Sequence, residues 1–373
     1  MRPLVTQHIE SLKPYVAGKP ISELKRELGV EHVIKLASNE NPLGASPKAR
    51  SAIAQAVDQL HLYPDAGSWA LRHRAHTFFG VPMDELVVGN GSNELLTLAV
   101  RTFTTPDDHA VISDYAFIAY RLIMQAHGLQ WSSVPTLEGF ETDIQGMIDA
   151  VIPGRTKLLF LANPNNPTGT YIPADELEHL LRTVDPEVMV VVDEAYTEYV
   201  QATDYVSALS LRHTRERLMI TRTLSKAYGL GGLRVGFGIA PAQIVNYLNR
   251  VREPFNCGLL AQEGATAALD DQAFIAKTVE LNEQARGLMQ QGLDALASDG
   301  VQWTPSQTNF LLLRTPHQGA ALYQDMLHQG VIVRPMGGYG LPHHLRVTLG
   351  TVDECEAFLD ALTQALANSG QPS

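Results

Sequence analysis

This 373-residue chain has few cysteines, fewer basic than acidic residues and no long apolar run. Two cysteines, Cys257 and Cys355, are too few for a disulfide framework and are typical of free thiols in a reducing compartment. The formal net charge of −12 disfavours nucleic acid or an anionic membrane as a partner, although local arginines can still bind small anions.

Targeting and metal-binding signals are also missing. No apolar run approaches the roughly 20 residues of a membrane span, and the N-terminus lacks the apolar core of a signal peptide. The 13 histidines show no pattern that is typical of a metal site. We therefore expect a cytoplasmic protein that holds no metal ion.

Strand and helix patterns alternate from about residue 60 to residue 255, and several strand patterns are continuously apolar. Such strands are typical of a sheet that is buried on both faces, so the alternation predicts a mostly parallel sheet between layers of helices. After Pro254 a helix-rich stretch precedes three short strand patterns, which predicts a smaller α+β domain. The three patterns are Thr308–Leu313, Val331–Arg334 and His344–Leu349. The predicted domains are residues 45–257, the large domain, and residues 1–44 with 258–373, the small domain and its N-terminal arm.

Polar residues follow three of the predicted strands at the point where each strand ends. Lys157–Ala162 runs into Asn163–Gly169, the next strand ends at Asp193, and a third runs into a loop that carries Ser225 and Lys226. Since ligands of parallel α/β sheets bind beyond the carboxyl ends of the strands, one cleft can collect all three segments.

The residue types in these segments fit one particular cofactor. A lysine amine, a buried carboxylate and an arginine are the groups that hold pyridoxal phosphate, and Lys226, Asp193 and Arg234 supply them. Each also has a structural interpretation. Asp193 could cap a helix or form a salt bridge, and a loop lysine is usually solvated.

Two further segments support a phosphate-bearing ligand. Gly89–Glu94 forms a glycine turn before a helix, whose free N–H groups bind phosphate, although any strand-to-helix turn can look like this. Asn166 can offer an amide to a ring oxygen. Tyr196 and Phe117 are aromatics near strand ends, where a position in the core is the ordinary alternative.

Together these motifs resemble the fold-type I, aspartate-aminotransferase-like pyridoxal phosphate enzymes, and among them the histidinol-phosphate aminotransferase family. The resemblance runs from about Tyr15 to Gly350. It rests on ordered matches at Leu36–Gly44, Tyr63–Asp65, Gly89–Ser92, Asn165–Gly169, Val192–Tyr196, Ser225–Arg234 and Leu345–Gly350.

The resemblance implies a role for each matching residue that would hold the cofactor. Lys226 would bind it covalently and transfer the proton, Asp193 would pair with the ring nitrogen, and Phe117 would stack on the ring, where many relatives have tyrosine. The ring oxygen and the phosphate would be held by a larger set, comprising Tyr196 and Asn166 for the oxygen and Gly91, Ser92, Ser225 and Arg234 for the phosphate. Tyr63 would reach the phosphate of the partner subunit, which implies a homodimer.

The implied reaction is transamination between L-histidinol phosphate and 2-oxoglutarate, which gives imidazole acetol phosphate and glutamate in histidine biosynthesis. Arg346 would bind the anionic end of the substrate, with Tyr15, Asn39 and Arg334 nearby. An aromatic-amino-acid aminotransferase, acting on phenylalanine or tyrosine, remains an alternative. A lyase similar to threonine-phosphate decarboxylase and a regulator that only binds pyridoxal phosphate are less favoured.

Overall fold

The computed structural model describes residues 3–14 and 18–369. The helices in this part of the chain are α1 (Gln7–Glu10), α2 (Ile21–Leu28), α3 (Pro47–Ala56), α4 (Trp69–Phe79), α5 (Gly91–Phe103), α6 (Ile118–His127), α7 (Ile144–Asp149), α8 (Ala174–Thr183), α9 (Ala242–Val251), α10 (Leu259–Ala268), α11 (Gln272–Ala295), α12 (Gly319–His328) and α13 (Val352–Ser369). The strands are β1 (Ile34–Lys35), β2 (Leu86–Gly89), β3 (His109–Ser113), β4 (Gln130–Val134), β5 (Thr156–Ala162), β6 (Met189–Asp193), β7 (Leu218–Thr223), β8 (Gly236–Ile239), β9 (Gln302–Trp303), β10 (Phe310–Arg314), β11 (Val331–Ile332), β12 (Arg334–Pro335) and β13 (His344–Thr348).

A seven-stranded sheet in the order β2-β8-β7-β6-β5-β3-β4 forms the centre of the molecule. Strands β3 to β7 pair in parallel, whereas β8 runs antiparallel to both of its neighbours. The side chains of this sheet alternate between two apolar clusters. In β6, Val190 and Val192 belong to one cluster, and Met189 and Val191 belong to the other. The predicted mostly parallel sheet between helical layers is therefore confirmed.

A smaller four-stranded sheet in the order β12-β13-β10-β9 is antiparallel and packs on α11 and α13. Near the start of the chain, β1 pairs in parallel with β11, so the N-terminal segment joins the C-terminal part of the fold. The division into residues 45–257 and residues 1–44 with 258–373 stays a prediction.

Two details differ from the strand patterns. The predicted strand Val331–Arg334 is interrupted at Val333, and its halves, β11 and β12, lie in different sheets. Strand β4 has no apolar run because it lies at the edge of the large sheet, where only Val134 of its five residues is buried. Within the described residues, no helix is both long and apolar enough to cross a membrane.

Candidate active site

A cavity of about 510 Å³ opens at the carboxyl ends of β5, β6 and β7. Residues from the N-terminal segment and from the smaller sheet complete its walls. The predicted site residues that line it are Asn39, Ser92, Phe117, Asn166, Asp193, Tyr196, Ser225, Lys226, Arg234, Arg334 and Arg346. The structure thus brings together side chains that are more than 300 positions apart in sequence, since Asn39 and Arg346 face the same space.

Three predicted residues do not line this cavity. Gly91 lies directly behind it, at the first turn of α5. Tyr63 has 84% of its surface exposed and stacks on Phe255 with ring centroids 4.8 Å apart. Tyr15 lies outside the described residues.

Lys226 follows β7 and points its amine into the cavity. Its Nζ donates to the carbonyl oxygen of Ser38 at 3.2 Å and lies 5.7 Å from the ring centre of Tyr196. Burial, with a further contribution from the charge of Arg346, lowers the pKa of Lys226 to about 8. A substantial fraction of this amine is therefore neutral near physiological pH, as a nucleophile and proton carrier requires.

Asp193 ends β6 with 5% of its surface exposed, in the cavity wall beside Lys226. Thr221 donates to its Oδ1 at 2.9 Å, and Tyr120 donates to its Oδ2 at 3.1 Å. Burial raises the pKa of Asp193 to about 6, while these two hydrogen bonds act in the opposite direction. A buried carboxylate of this kind is suited to pairing with a cation inside the cavity.

Hydrogen bonds orient Tyr196 and Asn166, two further residues that line the cavity. Tyr196 is 3% exposed, and its hydroxyl accepts from Nδ2 of Asn39 at 2.9 Å. Burial raises the pKa of Tyr196 to about 12, so its hydroxyl stays protonated. Asn166 accepts from Nη1 of Arg346 through Oδ1 at 2.6 Å, which leaves the amide N–H₂ as the donating end. Two donors are thus available for an oxygen substituent of a bound ring.

The turn after β2, the loop after β7 and Arg234 meet at one end of the cavity. Nη1 of Arg234 donates to Ser225 Oγ at 3.4 Å, and its guanidinium packs against the backbone of Gly91. A Cβ atom at Gly91 would lie 2.7 Å from Nη2 of Arg234, and its φ of +73° also favours glycine. Ser92 lies at the N-terminus of α5 and faces the cavity.

This cradle combines a hydroxyl, a guanidinium and free helix N–H groups, the donor set that binds a phosphate. With Lys226 and Asp193 in the lining of the same cavity, the residues present fit pyridoxal phosphate. The combination carries the fit, because the amine, the carboxylate and the anion cradle all lie at a single cavity of suitable size.

Two arginines of the smaller sheet face the same cavity. Arg334 and Arg346 are direct cross-strand partners in the antiparallel pair β12–β13. Arg346 is 9% exposed and donates through Nη2 to the carbonyl oxygen of Ala37 at 2.9 Å. Like charges on opposite positions of two strands repel. An anion that lies between the two side chains removes this repulsion, so the pair favours an anionic ligand.

Some residues of the site did not stand out in the sequence. The start of α6 contributes an apolar wall of Ala119, Leu122 and Ile123. Tyr120 on the same helix contacts Asp193 from behind. Its position three residues after Phe117 places both on neighbouring positions of one helical turn, and this spacing is the signal that could have indicated it. Thr221 lies on β7 opposite Asp193 and carries no local signal.

Comparison with known proteins agrees with this geometry. The family description "Aminotransferase class I and II" matches residues 31–362. Histidinol-phosphate aminotransferase 2 of Pasteurella multocida is 44% identical, covering 97% of this chain and 98% of its own. Histidinol-phosphate aminotransferase of Anaeromyxobacter sp. is 45% identical, covering 98% and 99%.

Solved structures show the same fold. The histidinol-phosphate aminotransferase of Sinorhizobium meliloti, in complex with pyridoxal-5'-phosphate, superposes with a TM-score of 0.89 at 24% identity over 98% of each chain. An aspartate aminotransferase of Thermus thermophilus gives 0.84 at 23% identity over 98% of this chain and 100% of its own. The predicted fold type and cofactor are confirmed. The chain belongs to the class I and II aminotransferase family, among relatives that are histidinol-phosphate aminotransferases.

Proposed function

We propose that this protein transfers an amino group between L-histidinol phosphate and 2-oxoglutarate, with pyridoxal phosphate as its cofactor. The observation that carries the proposal is the pair Arg334 and Arg346 in the cavity that also holds Lys226. One site must accept a phosphate ester in one half of the reaction and a carboxylate in the other. Guanidinium groups bind both kinds of oxyanion, and the named activity of the 44% identical relative supports the choice.

The chain's own residues divide the work of holding the cofactor. Lys226 would bind it covalently, and the carboxylate of Asp193 would pair with the protonated ring nitrogen. Ser225, Arg234 and the N-terminus of α5 would hold its phosphate. When bound, pyridoxal phosphate supplies the electron sink that stabilises the negative charge left when the substrate loses its Cα proton.

Lys226 also carries the proton. With the cofactor and substrate bound, its Nζ would accept the proton that the substrate Cα loses and would then give that proton up again. The pKa of Lys226, lowered to about 8 mainly by burial, suits both directions because the amine gains and loses a proton readily near neutral pH. Tyr196 and Asn166 would donate to the ring oxygen, and Phe117 would pack on the ring.

We further propose that the active unit is a homodimer located in the cytoplasm. The segment between α3 and α4 exposes Leu60, Leu62 and Tyr63, with 58%, 56% and 84% of their surfaces accessible. Trp69 at the start of α4 adds another apolar side chain that is 60% exposed. Contiguous exposed apolar groups are typical of an interface. Tyr63 does not line the cavity of its own chain, and in the dimer it would reach the cofactor phosphate of the partner subunit.

Single-turnover reactions of the purified holoenzyme test the proposed substrate. The loss of cofactor absorbance is followed with L-histidinol phosphate, L-histidinol and L-phenylalanine in separate experiments. Since two charge-assisted hydrogen bonds contribute about 3 kcal/mol or more, L-histidinol phosphate should react at least ~100-fold more efficiently than L-histidinol. A comparable or larger efficiency with L-phenylalanine would instead identify an aromatic aminotransferase.

Two measurements refine this test. Arg334→Gln should reduce kcat/KM for L-histidinol phosphate strongly and for L-histidinol little, whereas Arg314→Gln, which alters an exposed arginine of β10 outside this cavity, should change neither. Turnover that releases carbon dioxide and does not need 2-oxoglutarate would identify a lyase and contradict the proposal.

A further inference from the structure

The carboxylate of Asp193 is held from behind by two hydroxyl groups, one on each oxygen. Thr221 Oγ1 donates to Oδ1 at 2.9 Å, and the Tyr120 hydroxyl donates to Oδ2 at 3.1 Å. Neither Thr221 nor Tyr120 lines the cavity, so neither is placed to contact a ligand directly. Both act on the one carboxylate that faces the ligand.

Tyr120 is fixed in position by its surroundings. It is 1% exposed, and its ring stacks on Phe160 with centroids 5.0 Å apart and an interplanar angle of 17°. It also meets Phe117 edge to face at 5.9 Å, on the helix that forms the cavity's apolar wall. Burial raises the pKa of Tyr120 well above its usual range, so the hydroxyl remains protonated and remains a donor.

The hydroxyl of Tyr120 therefore donates to a buried carboxylate, and burial disfavours the charged form of that carboxylate. Burial raises the pKa of Asp193 to about 6, and the hydrogen bonds from Thr221 and Tyr120 are the two largest influences in the opposite direction. Removing either donor makes the ionised form of Asp193 harder to maintain. It also lets the carboxylate rotate away from its present plane.

We infer that Tyr120 is a positioning residue for transamination. By donating to Asp193 it keeps that carboxylate ionised and oriented towards the ring nitrogen of the cofactor. The inference rests on the proposed use of pyridoxal phosphate, and it assigns different tasks to Phe117, which precedes α6, and to Tyr120, one helical turn further on. Phe117 would cover the cofactor ring, and Tyr120 would keep the Asp193 carboxylate ionised and in the orientation that binds the ring nitrogen.

The test compares pyridoxal phosphate with deazapyridoxal phosphate, in which a C–H group replaces the ring nitrogen. Equilibrium dissociation constants of both compounds are measured for the cofactor-free full-length protein and for Tyr120→Phe, which keeps the ring that stacks on Phe160. Tyr199→Phe is the matched control, because Tyr199 is also 1% exposed and lies just beyond Asp193 without bonding to it. Circular dichroism verifies that each variant is folded.

We expect Tyr120→Phe to weaken binding of pyridoxal phosphate by about tenfold, the effect of one hydrogen bond to a charged group, and binding of the deaza compound by less than about twofold. Thr221→Val should show the same selectivity, and Tyr199→Phe should show none. Equal losses for both compounds in Tyr120→Phe, or no loss for either, overturn the inference alone. Failure of the unmodified protein to bind pyridoxal phosphate overturns the proposed function together with the inference.

Discussion

Replacing Lys226 by methionine is expected to make the cofactor-free protein more stable, although it removes the amine on which the proposed function depends. The hydrocarbon stem of a lysine packs much as methionine does, so the substitution mainly removes a buried charge. Burial, helped by the charge of Arg346, lowers the pKa of Lys226 from its usual value of 10.5 to about 8. The folded state therefore binds the lysine proton less tightly than the unfolded chain does.

The magnitude follows from the difference between the two pKa values. Between about pH 8 and pH 10.5 the unfolded chain holds the proton and the folded protein releases it, so stability rises with pH by about 1.4 kcal/mol per unit. Below this window Lys226 is protonated in both states and the full cost, about 3 kcal/mol, is present. The lost hydrogen bond from Nζ to the carbonyl oxygen of Ser38 offsets about 1 kcal/mol. Lys226→Met should thus gain about 2 kcal/mol near pH 7.

Urea unfolding of the cofactor-free proteins at a fixed protein concentration measures this difference. The advantage of Lys226→Met should decrease as the pH rises from about 7 and should vanish near pH 10, because the unmodified protein gains stability there. Lys277→Met is the control, since Lys277 is an exposed residue of α11 and its replacement should give no pH-dependent difference. A variant that is less stable than the unmodified protein near pH 7, or a difference independent of pH, would refute the reasoning.

Three other substitutions test separate parts of the structure. Arg222→Ala should lower the free energy of unfolding by about 3–5 kcal/mol in urea titrations, because it leaves Glu194, which is fully buried and lies 2.9 Å from the Arg222 side chain, without its cation. Gly91→Ala should weaken pyridoxal phosphate binding by about tenfold or more in equilibrium titrations, because the added Cβ would displace the guanidinium that completes the phosphate cradle. Leu60→Glu should shift the protein towards monomer in sedimentation experiments and reduce activity in parallel. Unchanged stability, cofactor affinity or sedimentation, respectively, would contradict these expectations.

Local patterns were sufficient to predict the strands that form the floor of the site. One apolar run ends at Asp193, the last residue of β6, and a second ends at Ile220, three residues before the end of β7, and both lie in central strands of the large sheet. A strand buried on both faces is mostly apolar, so its first polar residues indicate that its end at the edge of the sheet is near. The location of the cavity at this edge follows from the same rule.

Contacts between distant segments could not be predicted in this way. The hydrogen bond between Tyr120 and Asp193 joins residues 73 positions apart, and the one between Asn39 and Tyr196 spans 157. Such contacts depend on how whole elements pack, and no periodicity along the chain encodes them. The antiparallel direction of β8 is similarly hidden, because a buried strand is apolar in either direction.

The charges of the cavity explain why these residues are kept despite their effect on folding. Burial raises the pKa of Asp193 to about 6 and lowers the pKa of Lys226 to about 8. The folded protein therefore disfavours the charged form of both groups. Arg334 and Arg346 place two cations at facing positions of adjacent strands. In the proposed function, a protonated ring nitrogen would offset the charge of Asp193, a covalent bond would occupy the amine of Lys226, and an anionic substrate would lie between the two arginines. The groups that destabilise the protein alone are therefore the groups that, in the proposed function, would bind cofactor and substrate.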